Sequence, residues 1–351
     1  MAKKVLVAMS GGVDSSVAAQ LCIDRGYLCE GATMRLYRNE DSKKPCGTEK
    51  DISDAKAVAE RLSVPHHIFD FQAEFKSEII SRFIETYKQG ATPNPCIECN
   101  RYIKFGMLLK KMEELGFSHV ATGHYARIEE KNGRFLLKKA ADESKDQSYV
   151  LYSLTQEQLS HILLPLGEYK KSEIREFAQE HGFITADKQD SQDICFVPDG
   201  DYAAFIEEYI DYKFPEGDFV DLSGKRLGTH KGIIRYTIGQ RKGLGLALPA
   251  PMYVCEKDIE NNRVVLCNND ELFSRELVAT DFNWIAFDEP KESIECSVKV
   301  RYKHVEQPAV VTPLPNGDVK IVFLEPQRAI AKGQAAVLYS GDTVIGGGTI
   351  I

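Results

Sequence analysis

The first half of the chain alternates between two patterns of apolar and polar residues, one typical of buried strands and one typical of helices. Four segments predict buried strands, namely Val5–Met9, Leu28–Leu36, His67–Phe71 and His119–Thr122. Four others have apolar residues at helical spacing, namely Val13–Arg25, Asp54–Leu62, Glu74–Lys88 and Tyr102–Leu115. Ser53 is the expected N-cap of the second helix. Strands that alternate with helices predict a doubly wound α/β domain with a mostly parallel sheet.

The pattern changes after about residue 196. Tyr202–Tyr212 still predicts a helix, but from Asp218 onward short alternating runs are separated by turn residues. The clearest runs are Met252–Glu256, Arg263–Cys267, Ser297–Tyr302, Ala309–Thr312, Val319–Phe323 and Ala335–Tyr339. Asn316-Gly317-Asp318, between two of them, is a hairpin signal. We therefore expect the α/β domain over 1–200, a small mainly β domain over 201–270 and a C-terminal β-barrel over 271–351.

Composition places the chain among ordinary globular proteins. Hydrophobic residues make up 43% and charged residues 27% of its 351 residues. The apolar run Val5–Met9 is too short for a signal peptide, and no run approaches the roughly 18 apolar residues of a membrane span. The nine cysteines are an odd number, which argues against a structural disulfide framework. We expect a cytoplasmic protein that does not enter membranes.

The net charge of -8 argues against non-specific binding of nucleic acid, because such binding depends mainly on cations. One local exception is the stretch Ser223–Gly245, which contains no Asp or Glu. Its six basic residues are Lys225, Arg226, Lys231, Arg235, Arg241 and Lys242. This stretch is either an RNA-binding face or an ordinary solvated surface, and its composition alone does not decide between them.

A glycine-rich turn, Ser10-Gly11-Gly12-Val13-Asp14-Ser15-Ser16, joins the first predicted strand to the first predicted helix. Two glycines allow a tight turn that directs backbone N–H groups at an anion, and the helix start adds further N–H groups. Asp14 would repel phosphates unless it binds a Mg²⁺ ion that bridges them. The turn therefore predicts a site for the phosphates of a Mg²⁺-bound nucleotide, although an ordinary strand–helix turn is the simpler alternative.

The residues of this turn exclude two common classes of nucleotide-binding loop. It lacks the lysine of a Walker loop and the third glycine of a dinucleotide fingerprint. It resembles the SGGxDS loop of the PP-loop ATP pyrophosphatases, enzymes that cleave ATP between the α and β phosphates and adenylate a substrate oxygen. That class includes enzymes that make NAD, GMP, asparagine and thiolated tRNA, so the loop alone does not identify the substrate.

Three cysteines have the setting of reactive thiols. Cys96 and Cys99 lie in Asn94-Pro95-Cys96-Ile97-Glu98-Cys99-Asn100, just before a predicted helix. The helix start, with Arg101 and Lys104 nearby, would stabilise a Cys99 thiolate. The third is Cys195, for which a small buried hydrophobic residue is the alternative. Cys-x-x-Cys is also half of a zinc site, but no second such pair occurs in the chain.

Taken together, the motifs of the chain closely resemble those of the bacterial tRNA-specific 2-thiouridylases, the MnmA/TrmU family. The resemblance covers essentially the whole chain. Its motifs are Ala8–Ser15, Thr92–Pro95, Cys99-Asn100, Lys104-Phe105, Ala121–Tyr125, Lys145–Tyr149, Ser191–Phe196, Tyr236–Gly245, Arg301-Tyr302 and Gly333-Gln334. It implies an ATP-binding catalytic domain over 1–200 and tRNA contacts by the central domain over 201–270.

The resemblance also implies residue roles. Cys99 would be the catalytic nucleophile, Cys195 the persulfide carrier and Asp14 the Mg²⁺ ligand. ATP would contact Ala8, Met9, Ser10, Gly11, Gly12, Val13, Asp14, Ser15, Met34 and Gly123. The target base would lie against Asn94, Pro95 and Cys96. The tRNA would contact His124, Lys145, Asp146, Gln147, Arg301, Tyr302 and Gln334. Without the resemblance, His124 would be interpreted as a histidine of the core, and residues 145–147 would be interpreted as a solvated loop.

Cys96 is one departure from the family pattern, which commonly has Asp at this position. Three interpretations remain open. Cys96 is a neutral replacement, a thiol that reopens a Cys99–Cys195 disulfide, or one of three ligands, with Cys99 and Cys195, of a 4Fe-4S cluster whose fourth iron carries hydrosulfide.

The activity that the resemblance implies is ATP-dependent thiolation of the wobble uridine of the tRNAs for Lys, Glu and Gln. ATP·Mg²⁺ would adenylate the C2 oxygen, and persulfide sulfur from a cysteine desulfurase or sulfur-relay protein would displace AMP. Two competing functions stay open. One is a PP-loop ligase that amidates a small metabolite, and the other is a non-enzymatic RNA-binding or redox-sensing protein.

Overall fold

The computed structural model describes residues 3–37, 48–186, 188, 193–197 and 200–351. A five-stranded parallel sheet forms the N-terminal domain, in the order β3-β2-β1-β4-β7. Its strands are β1 Lys4–Ala8, β2 Leu28–Arg35, β3 His66–Asp70, β4 His119–Ala121 and β7 Ile162–Leu163. The helices of this domain are Val13–Asp24, Glu49–Arg61, 72–88, 95–114, Gln156–Ser160 and Lys171–Glu180.

Strand β1 lies at the centre of this sheet and is covered on both faces. Val5 and Val7 pack in one apolar cluster with the helix Val13–Asp24, while Leu6 packs in another with Phe105. Burial on both faces explains why the strand is a continuous apolar run rather than an alternating one. β2 pairs with one edge of β1 and β4 with the other, so the strand order reverses between β1 and β4.

Two predicted helix starts were wrong. The second helix begins at Glu49, capped by Thr48 rather than Ser53, because Thr48 and Asp51 form a reciprocal capping box. The helix predicted from Tyr102 begins at residue 95, where Asn94 caps it and Pro95 fills the first position. It continues through the wider turns of Cys99–Met107 to Glu114. The helix 72–88 has similar wide turns over Phe75–Ile80.

The central domain begins with the helix Tyr202–Tyr209, shorter than predicted, and contains a four-stranded sheet. Its strands are β8 Gly217–Asp221, β9 Arg226–His230, β10 Tyr253–Asp258 and β11 Arg263–Cys267, in the order β10-β11-β8-β9. The pairs β8–β9 and β10–β11 are antiparallel, whereas β8 and β11 are parallel.

The C-terminal part is a closed six-stranded barrel. Its strands are β12 Phe273–Trp284, β13 Ile294–Lys299, β14 Gln307–Pro313, β15 Val319–Arg328, β16 Ala335–Ser340 and β17 Thr343–Ile350. Pairing of β12 with β17 closes it, which confirms the predicted barrel. The hairpin at residues 316–318 is also confirmed, with Gly317 at φ +84°. The strand predicted over Ser297–Tyr302 ends at Lys299, so Arg301 and Tyr302 lie in the following loop.

A hairpin from the N-terminal half extends the barrel sheet, which the sequence pattern did not indicate. Its strands are β5 Arg127–Lys131 and β6 Arg134–Lys138, and β6 pairs with β17 at Lys138 and Thr343. Asn283 on β12 adds hydrogen bonds to the carbonyl oxygens of Tyr152, at 2.7 Å, and Leu154, at 2.9 Å. The barrel is therefore tied to the N-terminal domain through backbone groups. None of the helices in the described residues is long and apolar enough to cross a membrane.

Candidate active site

The glycine-rich turn after β1 is held open by its own side chains. The Ser15 hydroxyl accepts from the Ser10 N–H at 3.1 Å and donates to the Gly12 carbonyl at 3.1 Å. Gly11 has φ +71°, and a Cβ there would lie 2.4 Å from the Asp51 carbonyl oxygen. Gly12 is the N-cap and provides no side chain to the first helical N–H groups. The start of this helix thus has the form that the predicted anion site requires, and anion binding stays a prediction.

The predicted ATP contacts meet at the carboxyl end of the sheet. The turn follows β1, Met34 lies near the end of β2, and Gly123 follows β4. A Cβ on Gly123 would lie 2.8 Å from the Asp14 carbonyl carbon, so only glycine lets this segment reach the turn. Strand order reverses between β1 and β4, and α/β sheets bind ligands at such a reversal.

Asp14 has two protein partners that the sequence did not indicate. The Lys171 ammonium lies 2.7 Å from Oδ1 and 2.8 Å from Oδ2 of this carboxylate. The Tyr125 hydroxyl donates to Oδ1 at 2.8 Å. The Lys171 side chain is only 9% exposed, whereas the neighbouring Lys170 is exposed. Both lysines begin the same helix, and only tertiary packing distinguishes them.

A second lysine fixes the back of the turn. Lys188 donates to the Gly11 carbonyl at 2.8 Å and to carboxylate oxygens of Asp51 and Asp54, each at 2.9 Å. Asp51 is also the capping-box residue of the helix Glu49–Arg61. Lys188 therefore joins the phosphate turn to that helix, in the same stretch of chain that leads to Cys195.

The three predicted site cysteines have different environments. Cys96 is exposed in the first turn of the helix 95–114, where its N–H donates to the Asn94 side chain at 3.2 Å. Cys99 is buried one turn further on, so the prediction that it occupies the helix N-terminus was wrong. Cys195 is exposed, but the next residue, Phe196, packs with Cys99 in one apolar cluster. The Cys195 segment is thus anchored in the core that holds Cys99.

Two further observations concern the oxidation state of the cysteines and the grouping of possible metal ligands. Every cysteine in the described residues is a thiol. Within those residues, no group of three or more His, Cys, Asp or Glu side chains is positioned to hold a metal ion. Cys46, and the Ser191-Gln192 part of the motif before Cys195, lie outside the described residues.

Several residues expected to contact tRNA have internal partners. His124 is buried against Thr122, whose Oγ1 lies 2.8 Å from its Nδ1, and burial followed by the charge of Lys104 holds the pKa of His124 well below its usual value. The Asp146 carboxylate accepts from the Ser148 hydroxyl at 2.8 Å. The Gln147 side chain accepts from a backbone N–H at 2.9 Å. The first contribution of these groups is to shape their loops, and contact with tRNA stays a prediction.

Two side chains of the barrel lie beside the segment Thr92–Cys96. Gln334 donates to the Thr92 carbonyl at 2.8 Å, and the Tyr302 hydroxyl donates to the Asp146 carbonyl at 3.0 Å. Burial and then the charges of Asp146 and Cys96 raise the pKa of Tyr302, which is therefore a neutral neighbour of Cys96. Arg301 is exposed and donates to the Arg328 carbonyl at 3.3 Å, and Lys145 is half-buried. Gln334 and Tyr302 thus bring the barrel beside the segment expected to hold the target base.

Two basic residues of the stretch Ser223–Gly245 form ion pairs with acidic residues from other parts of the chain. Arg226 forms an ion pair with Asp218 at 2.6 Å, and Arg235 forms one with Glu207. Lys225, Lys231, Arg241 and Lys242 are exposed. Acids from outside the stretch therefore neutralise two of its six cations.

Comparison with known proteins identifies the same three parts. Residues 3–199 match the model of the tRNA methyl transferase HUP domain. Residues 203–268 match the tRNA methyl transferase PRC-barrel domain, and residues 274–350 match the aminomethyltransferase beta-barrel domain. The fold and site thus define a tRNA-modifying protein of the HUP-domain class, with an ATP-type phosphate loop.

Whole-chain relatives specify the family. The chain is 49% identical over 352 residues to the tRNA-specific 2-thiouridylase MnmA 2 of Clostridium tetani, covering 99% of this chain and 98% of that protein. It is 48% identical over 355 residues to MnmA of Acetivibrio thermocellus, covering 99% of each chain. MnmA of Clostridioides difficile is also 48% identical, over 100% of this chain and 98% of its own length. The chain belongs to the tRNA-specific 2-thiouridylase family.

Proposed function

We propose that this protein is a tRNA 2-thiouridylase that replaces the C2 oxygen of the wobble uridine by sulfur and releases AMP and pyrophosphate. The observation that carries the proposal is that one segment touches both halves of the required chemistry. Gly123 lies against the phosphate turn, and the next residue, His124, packs its ring 5.8 Å from that of Phe105 on the cysteine helix. The phosphate turn and the helix that carries Cys96 and Cys99 therefore both contact the segment 123–124.

The first half-reaction is adenylation. The uridine C2 oxygen attacks the α phosphate, the bond between the α and β phosphates breaks, and pyrophosphate leaves. The helix N–H groups after Gly12 and the exposed Ser10 hydroxyl would donate to the phosphate oxygens, whereas the buried Ser16 hydroxyl donates to the Gly12 carbonyl. Asp14 offers the carboxylate through which proteins commonly hold Mg²⁺ together with substrate phosphates, and the ion would neutralise phosphate charge.

The second half-reaction transfers sulfur. The terminal sulfur of a Cys195 persulfide attacks C2, and the adenylate leaves as AMP. The Cys99 thiolate then attacks the Cys195 sulfur, which breaks the S–S bond to the transferred sulfur and leaves it on the base. A Cys99–Cys195 disulfide results, so an external thiol must reduce it after each turnover.

The loop 92–96 is the proposed receptor for the target base. A uridine must leave the stacked bases of the anticodon loop to reach Cys96. Proteins that recognise single-stranded RNA generally bind bases that are unstacked in this way. Asn94, Pro95 and Cys96 would contact that base, with Arg301, Tyr302 and Gln334 from the barrel near the tRNA backbone. The tRNAs for Lys, Glu and Gln are the proposed substrates, and a cysteine desulfurase or relay protein the proposed donor. We expect the protein to act in the cytoplasm, where tRNA and reducing thiols are available.

The role of Cys96 differs between the persulfide route and an alternative route through an iron–sulfur cluster. In the alternative to the persulfide route, Cys96, Cys99 and Cys195 hold a 4Fe-4S cluster that delivers hydrosulfide. Anaerobic reconstitution with iron and sulfide tests it: a cluster predicts sulfide-to-iron charge-transfer absorption and thiolation with inorganic sulfide, and Cys96→Ser loses both. Wild type that binds no iron excludes the cluster. Cys96→Asp with full activity and unchanged demand for reductant would also exclude a resolving thiol.

One assay tests the proposed function against its two competitors. Pyrophosphate release is measured with ATP alone, with ATP and a pool of small amides, and with ATP and unmodified tRNA. A thiouridylase releases pyrophosphate with tRNA and leaves 2-thiouridine at the wobble position, detected by mass spectrometry of the nucleosides. A small-molecule ligase would respond to the amides, and a protein that uses ATP only as a structural ligand would release none in any arm.

A further inference from the structure

Lys171 is a buried cation at the phosphate turn. Its ammonium lies within 2.8 Å of both carboxylate oxygens of Asp14, and its side chain is 9% exposed. Its backbone is also fixed, since it begins the helix Lys171–Glu180 and its N–H donates to Asp142 at 3.0 Å. Ile174, one turn later, packs in the same apolar cluster as Val17 of the phosphate-turn helix. The ammonium is therefore confined to the start of that helix.

The charges of the turn are balanced only in the absence of ligand. Residues 8–16 contain one Asp and no Lys or Arg, and Lys171 neutralises that Asp. A polyphosphate brings several negative charges to this place. If Asp14 binds a metal ion when ATP is present, its carboxylate must release the ammonium, which stays beside the phosphates. A cation is most useful on the group whose negative charge grows in the transition state, which here is the leaving pyrophosphate.

We infer that Lys171 is a catalytic residue that exchanges partners: it binds Asp14 in the empty site and the pyrophosphate portion of ATP in the occupied site. The inference rests on the proposed function, because it requires ATP at this turn. It assigns Asp14 two roles, as a metal ligand and as the group that holds Lys171 in place between turnovers. Lys188 is not equivalent, because its ammonium is engaged behind the turn by Asp51 and Asp54.

Ligand binding to Lys171→Met tests the inference by a measurement other than activity. Isothermal titration with pyrophosphate and, separately, with AMP is done in Mg²⁺ buffer on protein whose circular dichroism matches wild type. The variant is expected to lose at least tenfold in pyrophosphate affinity, or about 1.4 kcal/mol, and less than about threefold in AMP affinity. The matched control is Lys170→Met, which removes an exposed lysine from the preceding position and should change neither.

A second set of variants separates phosphate contact from mere neutralisation of Asp14. In EDTA, Asp14→Asn should bind pyrophosphate more tightly than wild type, because Lys171 no longer has to release the Asp14 carboxylate. Adding Lys171→Met to Asp14→Asn should remove that gain, although the turn is then free of both charges.

Three outcomes overturn the inference. They are equal losses of AMP and pyrophosphate affinity in Lys171→Met, no gain in Asp14→Asn, and full pyrophosphate affinity in the double variant. Failure of the proposed function looks different. Wild type would then release no pyrophosphate and form no 2-thiouridine with tRNA, whereas its affinity for pyrophosphate and the dependence of that affinity on Lys171 would still be measurable.

Discussion

Asp14→Ala gives the sharpest test of the charge arrangement at the phosphate turn, because it predicts a change in stability before any ligand binds. If the carboxylate existed only for a metal ion, its removal would leave the metal-free protein nearly unaffected. In the structure it faces the ammonium of Lys171 and the hydroxyl of Tyr125. Removing it takes a carboxylate away from a nearly buried ammonium, so we expect the metal-free protein to lose stability.

The magnitude follows from burial. Removing one partner of a buried ion pair costs about 3–5 kcal/mol. The Asp14 side chain is 31% exposed and water screens part of the interaction, so we expect about 2–3 kcal/mol for Asp14→Ala. Replacing both charges costs less than replacing one, so Asp14→Ala with Lys171→Met should be more stable than Asp14→Ala alone.

Calorimetric unfolding in EDTA, without nucleotide, measures these differences as a double-mutant cycle. Asp14→Ala at the wild-type midpoint, or a double variant no more stable than Asp14→Ala, would refute the reasoning. The same single variant should lose Mg²⁺-dependent thiolation while tRNA binding stays nearly intact, because the carboxylate lies in the nucleotide site. Wild-type thiolation kinetics in Asp14→Ala would contradict its assignment as the metal ligand.

Two further predictions concern other lysines and arginines. Lys231→Glu with Arg241→Glu should weaken tRNA binding and reduce the slope of log affinity against log salt by roughly 0.7–0.9 per lost contact, measured by filter binding at several salt concentrations. An unchanged slope would mean that these exposed cations are only solvated surface. Burial lowers the pKa of Lys257 to about 8, and its Nζ has no hydrogen-bond partner among the described residues. The unfolded chain then binds more protons between pH 8 and about 10.4, so this residue makes stability rise with pH across that window. Lys257→Met should therefore stabilise the protein at pH 7 by up to about 3 kcal/mol and flatten that rise, and an unchanged difference between pH 7 and pH 10 would reject the prediction.

The architecture could be predicted from the sequence because burial and local turn chemistry leave a pattern along the chain. The run Val5–Met9 is apolar at every position because β1 is covered on both faces. Errors arose where two local signals competed. Ser53 and Thr48 are both possible caps, and only Thr48 has an acid three residues later that returns the hydrogen bond. Asn94-Pro95 is typical of a loop, but it is also a favourable helix start, and in the structure a helix begins at Pro95 with Asn94 as its N-cap.

The candidate site could be predicted only in part, for a related reason. The turn Ser10–Ser16 is contiguous, so its glycines and serines identify it directly. Lys171 is 157 residues away from Asp14 along the chain, and no spacing rule connects them. The sequence shows Asp14 as an unexplained negative charge in an anion site, and that conflict was the signal that a cation must be supplied from elsewhere. Mg²⁺ alone satisfies the conflict when ATP is bound, but it leaves the empty site with an uncompensated carboxylate. The buried ammonium of Lys171 compensates the charge of Asp14 in the site without ligand as well. Asp14 and Lys171 are therefore better understood as one exchangeable pair than as a metal ligand with a structural neighbour.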